Sequence, residues 1–364
     1  MRQFMPEKIF VEESVLDLPL TRRILSRCRS IPNEKVPSAK DLIRSWQGKT
    51  DPGLGSKTNL LLCRNRGRFL EPCPGTKPPY CCCGYAILNI GTGCPLNCSY
   101  CVLQVYLNSP FITLFVNLQD MLDELEAGIR PEPGKVVRIG TGEYMDSLAL
   151  EHLTDFTRFI LPFFRKRKGV VLELKTKTTH IRHLQGLDHG GSIIVSWSLN
   201  AEEVAQQEEP GAAPIRDRLE AAQQLIGQGY RVGFHFDPLI YYPGWEKGYR
   251  DVVGLLAERI PASSIAWISI GSLRYMPRLK SIARKCFPDT RIFAQEFVPG
   301  LDGKMRYLQE IRLEMYLKLV SWLKDYAEDL CIYFCMENPT VWEKTLGFAP
   351  SSNAQLKKLL DQRV

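Results

Sequence analysis

Between positions 85 and 270, short apolar runs alternate with longer segments of helical period, and no other feature of the chain restricts its fold as strongly. The runs fall at 85–90, 136–139, 170–174, 193–198, 231–236 and 264–270. Continuous apolar runs of this length suit strands buried on both faces. The segments between them, at 117–128, 148–165, 178–184, 215–228 and 247–260, carry apolar residues at helical spacing. Gly229 is suited to stop the helix that precedes it. Six strands alternating with helices imply a parallel sheet joined by right-handed crossovers. The expected fold is α/β: a partial (β/α)6 TIM-like barrel over 85–270, an N-terminal extension over 1–84 and a C-terminal extension over 271–364.

The extensions are less patterned. Residues 1–68 read as mixed, with helices near 20–28 and 38–46, and loops are expected at 49–57 and 72–79. After 293–303, an interrupted stretch, a long helix is expected over 304–328, then a strand at 331–335 and a short helix at 341–346. No apolar run reaches the length of a membrane span and the start lacks a signal-peptide core, so a cytoplasmic protein with no membrane partner is expected. The 47 basic and 40 acidic residues leave a charge of +7, which permits a polyanionic partner without requiring one. Basic clusters at 165–168 and 274–285 read as solvated helix ends.

Twelve cysteines are many for a reducing compartment, where disulfide frameworks are rare. Eight lie between Cys63 and Cys101, which favours a metal or cluster region. Cys94, Cys98 and Cys101 form a C-x-x-x-C-x-aromatic-C loop directly after the first barrel strand, at the end where such folds carry chemistry. Three thiolates can hold three irons of a cubane and leave the fourth iron open. Structural zinc normally takes four protein ligands, often as two C-x-x-C pairs, and only the pair Cys98 and Cys101 is present. The open cluster is therefore favoured. Cys63, Cys73, Cys81, Cys82 and Cys83 leave two readings open: a second iron–sulfur cluster in a Pro/Gly-rich wrap, or small buried and incidental thiols. Cys335 follows the expected strand at 331–335, facing either the barrel mouth or the core.

Further segments carry a resemblance. They are Thr92-Gly-Cys94 through Leu103-Gln104, Phe115-Val-Asn117, Glu151-His-Leu-Thr154, Thr176-Lys177, Ser198-Leu-Asn200, Arg218-Leu-Glu-Ala-Ala222, Gly229-Tyr230, Asp237-Pro238-Leu-Ile240 and Gly244-Trp-Glu-Lys-Gly-Tyr249. Through them, residues 85–250 resemble the spore photoproduct lyase branch of the radical S-adenosylmethionine (SAM) superfamily. The resemblance implies a radical SAM partial barrel. It implies a [4Fe–4S] cluster on Cys94, Cys98 and Cys101, and SAM chelated by the open iron and cleaved to a 5′-deoxyadenosyl radical. It also implies a reducing electron donor such as flavodoxin or ferredoxin. Carried over, Lys177 pairs with the SAM carboxylate, Ser198 and Asn200 hydrogen-bond its carboxylate or ribose, and Tyr100 packs near its adenine. The bland alternatives are a solvated lysine, strand-end polar residues and a core aromatic.

The chain departs from that family at defined positions. The lyase's hydrogen-donor cysteine after the second barrel strand is replaced by Glu143, whose strong O–H bond cannot donate a hydrogen atom in that way. Gly142-Glu143 instead resembles a Gly-Gly-Glu-type motif whose acid binds the SAM amino group; a helix-start carboxylate is the alternative. Val102 replaces a tyrosine after the last cluster cysteine, and the lyase's basic, aromatic substrate hairpin has no clear counterpart at 293–307. Cys335 is a candidate substitute donor. The leading expectation is a radical SAM, lyase-like enzyme acting on DNA or another nucleic-acid substrate. The alternatives are a radical SAM enzyme on a small molecule or peptide, and a non-catalytic metal-binding nucleic-acid module.

Overall fold

The computed structural model describes residues 3–46, 57–73, 80–107, 109–130 and 134–364. Of the expected loops, positions 49–56 and 74–79 lie outside the described residues.

All six apolar runs become strands of one curled sheet: β1 (Ala86–Leu88), β2 (Val137–Gly140), β3 (Val170–Thr176), β4 (Ile193–Ser198), β5 (Arg231–Leu239) and β6 (Ile265–Ser272). They lie side by side in chain order, each parallel to the next. The sheet runs past both ends of the 85–270 range. A seventh strand, β7 (Ile332–Phe334), adds in parallel to β6, and Leu70–Pro72 adds antiparallel to β1. Every residue of β6 is buried, and Trp197 of β4 and Trp267 of β6 are fully enclosed, as parallel strands covered on both faces require.

Helices Leu118–Gly128, Phe156–Arg165, Ile215–Ile226 and Trp245–Arg259 follow the sequence pattern. Two expectations need correction. Residues 178–184 form turns, because Thr176 and Thr178 hydroxyls accept the backbone N–H groups of Thr178 (2.9 Å) and His180 (3.3 Å), offering the chain an alternative to a helix. The long C-terminal helix starts at Gln309, not 304. Met305–Tyr307 instead pairs with Phe297–Pro299 in an antiparallel hairpin and with Arg274–Tyr275 on its other side. Gly303, at φ 76°, closes the turn, and Phe297 stacks on Tyr307 with ring centroids 4.6 Å apart. A hairpin thus stands where the sequence showed no clear counterpart of one.

The N-terminal extension contributes helices Pro19–Arg27 and Ala39–Trp46, and also three strands of a second sheet that sequence reading missed and that two strands from the expected barrel range complete. Its strand order is Asn33–Val36, Lys8–Glu12, Asn59–Cys63, Ile112–Phe115 and Gly91–Thr92. The first four are parallel and the last is antiparallel. Leu60 and Leu62 pack into the main core, whereas Leu61 and Cys63 face a small second core with Phe10, Val36 and Phe111. The cysteine loop leaves this sheet after Thr92 and returns to it at Ile112, so both of its ends are anchored there.

Candidate active site

The loop that carries Cys94, Cys98 and Cys101 is pinned from several sides. Gly93 N–H donates to Tyr144 O (3.0 Å), Ser99 N–H to Glu208 O (2.9 Å) and Gly211 N–H to Leu96 O (3.0 Å). A Cβ at Gly211 would sit 2.7 Å from the Leu96 backbone, so only glycine allows this approach. Gln104 Nε2 donates to Cys98 O at 2.7 Å. Cys98 is buried, while Cys101 opens to a cavity of about 330 Å³ at the strand C-termini. Burial pushes the Cys94 thiol up to about 12 and the Cys98 thiol well above its ordinary range. Such thiols ionise only against a compensating positive charge, which iron supplies. The Leu96 and Asp146 backbones act the other way on Cys94, favouring its thiolate. Three soft ligands on one braced loop, one of them at an open cavity, fit a site-differentiated [4Fe–4S] cluster.

Beneath the loop lies Glu209, completely buried. It accepts hydrogen bonds from Tyr100 Oη, Lys177 Nζ (3.0 Å) and Arg218 Nη2 (2.5 Å). Burial opposes its charge, but Arg218 and Lys177 outweigh it and hold the carboxyl down at about 2. Tyr100 still reaches the cavity wall, whereas the Lys177 ammonium is committed to Glu209. Asn200 is likewise committed. It accepts from Tyr249 Oη (2.5 Å) and donates to Pro238 O (3.3 Å), and only 1% of it is exposed. Ser198 offers its carbonyl to Arg218 Nη1 at 2.7 Å. None of these three lines the cavity described above.

Glu143 and Cys335 do face that cavity, from opposite ends of the sheet. Cys335 follows β7 and takes a hydrogen bond from Arg274 Nη2 at 3.3 Å. Burial pushes its thiol up to about 12, despite Arg274. Arg274 belongs to the cluster expected at solvated helix ends. It is instead enclosed at the cavity, paired through both nitrogens with Asp237 at 3.0 Å. Cys73 and the run Cys81–Cys83 also face the cavity, and the start of the last helix, Asn353–Asp361, holds the run: Asn353 Oδ1 accepts Cys82 N–H at 2.7 Å. Cys63 is elsewhere, packed in the small N-terminal core, so it is not joined to that thiol group. Among the described residues, no three His, Cys, Asp or Glu side chains are grouped around one metal-ion position.

The barrel interior holds a second buried carboxylate, Glu173. Its Oε1 accepts from Ser196 Oγ (2.6 Å), His235 Nε2 (2.9 Å) and Trp267 Nε1 (3.0 Å). Burial lowers the His235 imidazole from its ordinary value; burial also opposes the Glu173 charge, but Lys175 and the hydrogen bonds from His235 and Ser196 outweigh it and hold Glu173 far below the usual carboxylate range. Lys175 projects from this group into the cavity. Sequence reading missed Glu173, Lys175, Glu209 and Arg218 as site residues. The available signal was charge at alternate positions, 173, 175 and 177, in an otherwise apolar strand.

The spore photoproduct lyase family model matches residues 4–298. The chain belongs to the spore photoproduct lyase family. This family is a branch of the radical SAM lyases, and its members include the spore photoproduct lyase of Bacillus subtilis (strain 168). That protein is 26% identical over 300 residues, covering 80% of this chain and 85% of the relative. The spore photoproduct lyase of Geobacillus sp. (strain Y412MC61) is 26% identical over 303 residues, covering 81% and 86%. A solved variant of a spore photoproduct lyase with bound AdoMet and dinucleoside spore photoproduct superposes with a TM-score of 0.80 at 24% identity, covering 92% of this chain and all of that one. The fold is thus the family's radical SAM partial barrel. No helix among the described residues is long and apolar enough to cross a membrane.

Proposed function

We propose that this protein is a SAM-dependent radical lyase whose substrate is a dinucleotide photoproduct of DNA. The observation that carries the reading is the convergence of Tyr100, Cys101, Glu143 and Cys335 on one cavity. Cys94, Cys98 and Cys101 would hold the [4Fe–4S] cluster, and a low-potential donor such as flavodoxin or ferredoxin would reduce it. When bound, the cluster and SAM supply a 5′-deoxyadenosyl radical that abstracts hydrogen from the substrate. Glu143 is the acid available to a SAM amino group. Cys335 keeps its hydrogen on sulfur at neutral pH, because burial disfavours the thiolate, so it is equipped as hydrogen donor where Glu143 is not. Lys177, Ser198 and Asn200 act through the packing that braces the loop and strand ends. A second cluster on Cys73 and Cys81–Cys83 is a separate proposal. A cysteine-rich cluster region needs its thiols kept reduced, so the proposed location is the cytoplasm.

Anaerobic reconstitution tests the reading. About four irons per chain are expected for one cluster, about eight for two. Dithionite should yield 5′-deoxyadenosine, accelerated by dinucleoside spore photoproduct. Cys98→Ala should lose iron and this activity together. Cys335→Ala should still cleave SAM but stall or misdirect product formation; full repair by that variant removes Cys335 as donor.

A further inference from the structure

Tyr85 and Lys175 lie against the end of β2, on the wall of the cavity. The Tyr85 side chain is almost wholly buried (5% exposed), yet its hydroxyl has no hydrogen-bond partner among the described residues. An unmet buried hydroxyl forfeits the hydrogen bonds it made to water, so folded proteins rarely keep one without a use. The Lys175 ammonium sits 4.4 Å from the centre of the Tyr85 ring and 4.0 Å from Glu173 Oε2, beyond hydrogen-bond range. Burial works against its charge, but the neighbouring carboxylates of Glu173 and Glu143 keep it protonated.

Two glycines make the room. A Cβ at Gly140 would fall 1.5 Å from the Tyr85 hydroxyl, and one at Gly142 would fall 2.6 Å from Lys175 Cβ. Gly140 ends β2 and Gly142 lies just beyond it, where the chain turns past Lys175. The Tyr85 hydroxyl and the Lys175 stem thus rest on bare backbone, and both side chains line the cavity with donors that meet no acceptor within hydrogen-bond range.

We propose that Tyr85 and Lys175 form a subsite for an acceptor oxygen of the bound ligand. The inference rests on the radical lyase reading above and extends it. Two ligands bring such an oxygen: the photoproduct, through a base carbonyl, and SAM, through its carboxylate. A neutral hydroxyl donor beside a cation serves either oxygen, and both contacts form without water once the cavity is filled.

The test uses the reconstituted protein, held anaerobic, with Tyr85→Phe and Lys175→Met. Dissociation constants are measured separately for dinucleoside spore photoproduct and for SAM. Each variant should weaken one of the two by about tenfold, as expected for one lost hydrogen bond to a polar oxygen. Weakening confined to the photoproduct assigns the oxygen to a base carbonyl; weakening confined to SAM assigns it to the carboxylate. Unchanged affinity for both ligands in both folded variants overturns the subsite. The melting temperature gives a ligand-independent readout. Ligand-free Tyr85→Phe should melt at or above the wild type, because the hydroxyl holds nothing in the protein; a fall of several degrees makes the hydroxyl structural and overturns the proposal. If the wild type binds neither ligand, the lyase reading fails, and the melting comparison still judges the pair.

Discussion

Strand β3 and its end send two lysines, two positions apart, toward two buried carboxylates, and the two pairs are built to different purposes. Lys177 donates directly to Glu209 at 3.0 Å, beside Arg218 and Tyr100, in a knot that supports the cysteine loop. Lys175 stands 4.0 Å from Glu173, whose Oε1 is already taken by Ser196, His235 and Trp267. The first lysine is spent on structure; the second keeps its donors for the cavity. Sequence position and chemistry are nearly the same, so the difference lies in reach: Lys177 closes on Glu209 at 3.0 Å, whereas Lys175 stops 4.0 Å from Glu173 Oε2.

The largest effect should come from Glu209. Arg218 is fully enclosed, and Glu209→Ala would strand its charge, at a cost of about 3–5 kcal/mol in urea unfolding. A cost below about 1 kcal/mol would mean that water or another acceptor reaches Arg218, and the knot would lose its meaning. Next come the lysines themselves. Lys177→Met removes a charge-assisted hydrogen bond and should cost about 1.5–3 kcal/mol. Lys175→Met breaks no hydrogen bond but takes the cation 4.0 Å from buried Glu173, so it should also cost stability, and adding Glu173→Gln should restore most of that loss; no restoration would show that the pair carries no charge interaction.

A pH series gives the finest comparison. The Glu209 carboxyl is held at about 2 in the folded state against an ordinary 4.5. A depressed acid contributes stability that is complete above its unfolded value and is lost as pH falls toward the folded one. The gap in urea midpoint between the wild type and Glu209→Gln should therefore narrow from about pH 5 down to about pH 3. A gap that stays constant across that range would show that Glu209 is not charged in the folded protein.

What was legible in the sequence follows the reach of each interaction. The barrel strands could be read because burial on both faces writes a continuous apolar run, and the cysteine loop because its ligands are neighbours in the chain. The hairpin of Phe297–Pro299 and Met305–Tyr307 could not, since three-residue strands with a proline and an arginine leave no period. The N-terminal sheet was hidden for another reason: Asn33–Val36 is mostly exposed, and Leu60 to Leu62 serve two cores at once. Within the site, Lys177 drew notice as part of a local motif. Its commitment to Glu209, and the pairing of Arg274 with Asp237, join residues more than 30 positions apart and leave no local trace.

The anchoring of the cysteine loop in the N-terminal sheet bears on how the cofactor is assembled. Gly91–Thr92 and Ile112–Phe115 are neighbouring strands, so closing the loop between them is part of folding the sheet and asks nothing of a metal. In small zinc domains the metal drives folding, and a chelator unfolds them. Here the three thiols sit on a loop whose two ends are tied by neighbouring strands, so a chelator is expected to strip iron and leave the circular dichroism of the fold unchanged. Loss of the folded signal on chelation would show that the cluster, and not the sheet, holds the loop closed.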